Sequence, residues 1–276
     1  MRSFGDRLAS TVADHGRLCL GIDPHAFLLE EWGLPDSAEG ARDFGLRVVE
    51  GAAGRVGIVK PQVAFFERHG ASGYAALEAV LAAARSAGLL VIADAKRGDI
   101  GSTVAAYGES WLTPGSPLEA DALTVVAYQG VASLAGPIEL ARAHGKGLFV
   151  LAATSNPEAF TNQTAVRGSG STVAAGIVDE VGDLNADATV LGPFGVVIGA
   201  TVRLADFGIS ADSLRRTPIL APGFGEQGAL VSDVGALFGA VADNVVVAVS
   251  RGALRAGPAG LPGALDRLAG ELRDAL

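Results

Sequence analysis

The chain has a single cysteine, Cys19, so no disulfide can form within it. Its setting, Leu18-Cys19-Leu20, reads as a small core residue in a reducing compartment. No apolar run approaches the roughly 20 residues that a bilayer span needs; Val245 to Val249 is typical of the longest. Met1 to Gly16 interleaves Arg2, Asp6, Arg7 and Asp14 with apolar residues. It therefore lacks a signal-peptide core and reads as an amphipathic helix of a cytoplasmic protein. Positive charge is also scarce: a net charge of -9 and a pI near 4.9 exclude a general field for nucleic acid or acidic lipid. Any phosphate must be gripped locally. The four histidines, His15, His25, His69 and His144, show no metal-ligand spacing, and His25 reads as a loop residue rather than a base. No Gly-x-Ser-x-Gly elbow exists and Cys19 has no evident partner, which removes acyl transfer to a serine or cysteine. Lysine is rare: of 21 basic residues only Lys60, Lys96 and Lys146 are lysines. Lys60 and Lys96 follow apolar runs, where a compact ammonium with a movable proton has a use that guanidinium lacks. Lys146, in His144-Gly145-Lys146-Gly147, reads as a solvated loop residue.

What is present is a large core. With 276 residues and 49% hydrophobic content, the chain can bury one sizeable domain. Eight short apolar runs stand out as strands: Arg17 to Ile22, Val56 to Val59, Leu89 to Asp94, Ala122 to Ala127, Gly147 to Ala153, Phe194 to Ile198, Pro218 to Ala221 and Val245 to Val249. Helical spacing recurs between them, over Ser37 to Gly51, Tyr74 to Ala87, Ser102 to Trp111, Val131 to His144, Thr172 to Val181 and Ala229 to Val241, and again from Ala264 to Ala275. Asp99 or Ser102 is placed to cap the helix after the third strand. The polar, glycine-bearing stretch Phe160 to Ser171 reads as a mobile loop. Strands and helical segments alternating eight times predict a (β/α)8 TIM barrel in a single domain, residues 1–276. A doubly wound sheet is the competitor, but no Gly-x-Gly-x-x-Gly follows the first strand.

The third strand ends in Asp94-Ala95-Lys96-Arg97-Gly98-Asp99, two carboxylates, an ammonium and a guanidinium within six residues. Period two places Asp94 and Lys96 on one face, with Asp99 on the loop beyond. Alone, such a pair reads as an ordinary surface salt bridge. It is not alone, because Asp23, Lys60, Ser155, Gln227 and Arg251 also follow strand ends, and barrels assemble active sites there. The turn Pro222-Gly223-Phe224-Gly225-Glu226-Gln227-Gly228 followed by Arg251 suits a phosphate, held by backbone N–H groups and one cation. Read by itself, that turn is equally a tight loop needing positive φ.

Asp94-Ala95-Lys96-Arg97-Gly98-Asp99-Ile100 resembles the Asp-x-Lys-x-x-Asp-Ile signature of the orotidine 5′-phosphate decarboxylase family, and the likeness extends through Asp23, Lys60, Ser155, Pro222 to Gly228 and Arg251. Lys60-Pro61-Gln62 and Phe65-Phe66-Glu67 are similar to its bacterial branch. The resemblance implies a homodimer that converts orotidine 5′-monophosphate to UMP and carbon dioxide with no metal or organic cofactor. It implies that Lys96 protonates C6, that Asp94 faces the substrate carboxylate, and that Asp99 and Thr103 serve the neighbouring subunit's site. Asp23 and Lys60 would hold ribose hydroxyls, Lys60 also completing the alternating Lys, Asp, Lys, Asp charges. Ser155 would read the pyrimidine edge, and Pro222, Gln227 and Arg251 would surround the phosphate. Ser250 stands where many relatives place Gly. Two rivals remain: a magnesium-dependent sugar-phosphate decarboxylase of the same superfamily, which Lys60 disfavours because such enzymes carry an acidic residue there, and a non-catalytic phosphate-binding barrel.

Overall fold

Short runs of Val, Ile, Leu and Ala, each stopped by a polar or glycine-bearing turn, form eight parallel strands in the computed structural model, which describes residues 2–226 and 228–276. They are β1 Leu18–Ile22, β2 Ile58–Pro61, β3 Leu90–Arg97, β4 Ala122–Val125, β5 Gly147–Ala153, β6 Phe194–Ile198, β7 Ile219–Pro222 and β8 Val245–Val249. The strands close in chain order into a barrel, with Cys19 of β1 registered against Ile58 of β2 and Ala248 of β8. The expected (β/α)8 architecture is therefore present.

Strand periodicity divides the core in two. Cys19, Ile58, Leu90, Ile92, Ala122, Phe149, Val197, Leu220, Val246 and Ala248 point inward and pack together. Their neighbours, such as Leu20, Val59, Val91, Leu123 and Val247, face the surrounding helices. Helix α1 (Phe4–His15) seals the bottom with Phe4 and Leu8, Phe4 meeting Phe149 edge to face at 5.9 Å. Glycines make this room: a Cβ on Gly147 would lie 2.4 Å from the Phe4 ring, and one on Gly195 2.5 Å from Phe149.

The bottom also corrects the reading of Lys146. It is buried, 2.7 Å from Glu119 and 3.9 Å from Asp121, while Arg7 of α1 reaches Asp121 at 2.6 Å. These partners come from separate segments, so the local turn around Lys146 gives no sign of them. Two other expectations change. Ala229 to Val241 is broken into a 3-10 turn at Val231–Asp233, a short helix (Val234–Phe238) and a further 3-10 stretch beginning at Gly239, whose φ is 51°. Within Phe160 to Ser171, the first residues complete a helix (Pro157–Gln163), and an Arg167 N–H bond to the Ser171 carbonyl turns the rest back on itself. The connection after β6, where helical spacing predicts nothing, holds only 3-10 turns, Leu204–Phe207 and Asp212–Leu214, the first ended by left-handed Gly208.

Candidate active site

At the C-terminal mouth the inward rows of the strands change from apolar to polar. Cys19 is followed on its face by Gly21 and Asp23, Ile58 by Lys60 and Gln62, Ile92 by Asp94 and Lys96, Ala122 by Thr124, and Ala248 by Ser250. All these side chains except Cys19, Ile58, Ile92 and Ala122 line one cavity of about 390 Å³, together with His25, Phe65, Thr154, Pro222, Gly223, Phe224, Glu226 and Arg251.

Asp94 organises the floor. Its Oδ2 accepts from Lys60 Nζ at 2.7 Å and Gln62 Nε2 at 3.0 Å, and its Oδ1 from Lys96 Nζ at 2.6 Å and Thr124 Oγ1 at 3.0 Å. Burial alone would raise the Asp94 pKa, but the two ammonium groups and their hydrogen bonds override it and hold the carboxyl well below the usual range. Burial would likewise depress Lys60; the charges of Asp94 and Asp23 reverse that and keep its ammonium firmly protonated. The two lysines differ in reach. The Lys60 side chain is 8% exposed and Lys96 44%, so Lys60 is a fixed counter-ion and Lys96 presents its ammonium to the cavity.

Lys96 is also the only non-glycine residue with positive φ, 50°, among the described residues. Such a backbone costs on the order of 1–3 kcal/mol and persists only where neighbours enforce it. Here β3 slips register against β4 between Ala93 and Arg97, forming a bulge. The Lys96 N–H donates to Thr124 Oγ1 at 2.9 Å, and the Arg97 carbonyl accepts from Val126 N at 2.8 Å. The Arg97 guanidinium bonds the Ala95 carbonyl at 3.1 Å and pairs with Glu67, which Tyr74 also holds. The catalytic-looking turn is thus clamped from both flanks.

Asp23, Lys60, Asp94, Lys96, Pro222 and Arg251 all line this cavity. Ser155 is exposed and lines an adjoining hollow with Asn156, Phe160 and Arg203, while its neighbour Thr154 lines the main cavity. Asp99 and Thr103 lie outside it. Asp99 accepts from the Ile100 N–H at 2.8 Å, and Thr103 is exposed on the helix Gly101–Leu112. The cap of that helix is Ile100, with no side-chain cap bond, so neither Asp99 nor Ser102 caps it; positive φ at Gly101 turns the chain into the helix instead. Gln227 lies outside the described residues.

Sequence reasoning missed Thr124, whose only signal is a polar residue at the inward position after Ala122. His25, read as a loop residue, does lie in the loop after β1, where it also lines the cavity between Phe27 and Phe65, with ring centroids 5.2 and 4.1 Å away. Burial lowers its pKa. The glycine turn after β7 has positive φ at Gly223, Gly225 and Gly228, and an Arg255–Glu226 pair at 2.6 Å ties it to the segment after β8. Cys19 is buried, which pushes its thiol up to about 12, so it is inert.

A cavity with a cation-flanked carboxylate on its floor and a glycine turn with an arginine at its rim can hold an anionic substrate at one end and move a proton at the other. Known proteins share more than this chemistry. The family model described as Orotidine 5'-phosphate decarboxylase / HUMPS family matches residues 16–260. The chain is 51% identical to the orotidine 5'-phosphate decarboxylase of Streptomyces coelicolor, covering 100% of this chain and 99% of that one. It is 49% identical to that of Salinispora tropica with the same coverage. A crystal structure from Streptomyces avermitilis superposes with a TM-score of 0.95 at 50% identity, over 100% and 96% of the two chains. The structure of Leishmania donovani OMP decarboxylase superposes at 0.78 with 32% identity, over 99% and 98%. On both sequence and structure, the chain belongs to the orotidine 5'-phosphate decarboxylase / HUMPS family.

Proposed function

We propose that this barrel decarboxylates orotidine 5′-monophosphate to UMP and carbon dioxide, the last step of de novo UMP synthesis. The observation that carries the reading is the Lys60–Asp94–Lys96 array, one buried carboxylate between a fixed and a reachable ammonium, on the floor of a cavity whose rim suits a phosphate. Breaking the bond from C6 to the carboxylate leaves the electron pair on C6, with no carbonyl placed to delocalise it. Lys96 supplies the nearby positive charge and then the proton that forms the C6–H bond, and solvent reprotonates the amine. Arginine could not do this, because it holds its proton too tightly. Asp94 disfavours the bound substrate's carboxylate: two unit charges about 4 Å apart repel by about 4 kcal/mol at an effective dielectric near 20. Carbon dioxide leaves neutral, which relieves the repulsion.

In this reading Asp23 and Lys60 hold the ribose hydroxyls and Ser155 the pyrimidine edge, while Pro222, Gln227 and Arg251 receive the phosphate. Phosphate binding far from C6 helps assemble the charged floor. Asp99 and Thr103 complete the site of a second copy. Support for a homodimer comes from their position outside their own cavity, beside Ile100 at 60% and Tyr128 at 92% exposure on adjoining loops. A cytoplasmic location suits a step of UMP synthesis; separately, the described helices include none long and apolar enough to cross a membrane.

Lys60 argues against a magnesium-bound enediolate, because an ammonium occupies the place where that chemistry needs a carboxylate. The test is ultraviolet monitoring of orotidine 5′-monophosphate by the purified protein in excess EDTA. Continued turnover supports the reading. Loss restored by magnesium transfers the chain to the sugar-phosphate chemistry, and binding without consumption makes it a nucleotide-binding barrel.

A further inference from the structure

Ser250 ends β8 one residue before Arg251, and the reaction scheme gives it no task. Its surroundings do. β1 and β8 are neighbours in the closed barrel, with Leu20 registered against Val249, so Ser250 comes to face Asp23 although 227 positions separate them. The Ser250 hydroxyl donates to Asp23 Oδ2. Asp23 Oδ1 is buried and has no hydrogen-bond partner. A buried carboxylate oxygen without a donor is costly, so the Ser250 bond to the other oxygen matters for holding the group in place.

Gly21 makes the contact possible. A Cβ there would lie 2.8 Å from Ser250 Cβ, and 3.2 Å from both Ser250 Oγ and Asp23 Oδ2. Its φ is not among the positive ones, so close approach and not backbone freedom demands glycine. A carboxylate at a strand end otherwise rotates freely and must be ordered when ligand binds. Here one oxygen is already engaged by Ser250 and the other is buried, so the carboxylate is held in one orientation where it lines the cavity.

We infer that Ser250 is a positioning residue: its hydroxyl fixes the Asp23 carboxylate at the cavity wall so that the carboxylate receives one sugar hydroxyl of the nucleotide. This rests on the reading above that Asp23 contacts the ribose. The contact also joins the sugar side of the site to the turn that carries Arg251, so both ends of the ribose phosphate are set by one strand end.

The test compares the binding of UMP, 2′-deoxy-UMP and 3′-deoxy-UMP by calorimetry, alongside kcat and KM for orotidine 5′-monophosphate. Asp23→Asn should weaken UMP and leave unaffected the deoxy nucleotide that lacks the hydroxyl Asp23 holds. Ser250→Ala should weaken UMP about five- to tenfold, less than the full worth of a hydrogen bond to a charged group because the carboxylate loses its orientation and not its ligand, with kcat within about twofold. That loss should vanish on the same deoxy nucleotide and in the Asp23→Asn background, and Ser250→Thr should recover part of it. An equal loss on all three nucleotides, or full loss in the Asp23→Asn background, makes Ser250 a packing residue and overturns the inference. If Asp23→Asn weakens none of the nucleotides, the assignment of Asp23 itself fails. Gly21→Ala gives an independent check: its damage should shrink in a Ser250→Gly background, and undiminished damage there contradicts the contact.

Discussion

Thr124 touches no substrate in the proposed mechanism, yet it connects the two features that define the floor. Its hydroxyl donates to Asp94 Oδ1 at 3.0 Å and accepts the Lys96 N–H at 2.9 Å. Thr124→Val keeps the branched shape and removes both bonds. A hydrogen bond to a charged acceptor contributes about 1.5–3 kcal/mol, and an orphaned buried amide costs about 1–3 kcal/mol. Lys96 sits at φ 50°, so part of the second loss is recovered when its backbone relaxes. The net expectation is about 3 kcal/mol of destabilisation, or a Tm lower by about 5 °C for a chain of this size. Relaxation moves the Lys96 ammonium, and a displacement near 1 Å is enough for about a 10²-fold loss in kcat. KM should change little, because the phosphate end is untouched. Calorimetry and steady-state ultraviolet kinetics read the two effects separately, and Thr124→Ser should restore most of both. A Thr124→Val protein with wild-type kcat would refute the claim that this hydroxyl holds Lys96 in place.

Mixing inactive Asp99→Ala and Lys96→Ala proteins should regain activity, because a heterodimer holds one site with both residues intact; no recovery after demonstrated subunit exchange contradicts the shared site. The pH dependence follows from opposite shifts. Asp94, held below its unfolded value near 3.9, contributes stability that is complete above about pH 5 and is lost as pH falls through its low folded pKa. Lys60, raised above about 10.4, contributes stability that is complete below about pH 9 and is lost as pH rises through its folded pKa. The carbon-13 shift of the Asp94 carboxyl should therefore stay that of a carboxylate from pH 9 down to pH 4, and a midpoint inside that range contradicts the pairing.

The barrel was legible because period two and the turn residues are local signals. Leu90, Ile92, Asp94 and Lys96 share one face by alternation alone, and the change from apolar to charged along that face already marks the mouth. What stayed hidden depends on segments that meet only after closure. Lys146 looks like a loop residue until Glu119 and Asp121 arrive beside it, and Ser250 looks unremarked until β8 meets β1. Thr124 escaped for a related reason: one threonine in an apolar strand is ordinary, and only the β3 bulge brings it under the Lys96 amide.

In the proposed reaction Lys96 is both counter-charge and proton donor. Turnover of orotidine 5′-monophosphate by Lys96→Ala, followed at ultraviolet wavelengths beside a UMP titration, tests this most directly. General-acid loss alone is worth 10²–10⁴-fold, and loss of the positive charge adds to it, so kcat should fall by at least about 10⁴ while UMP still binds within about tenfold of wild type. A Lys96→Ala protein that keeps more than about a hundredth of wild-type kcat contradicts the mechanism.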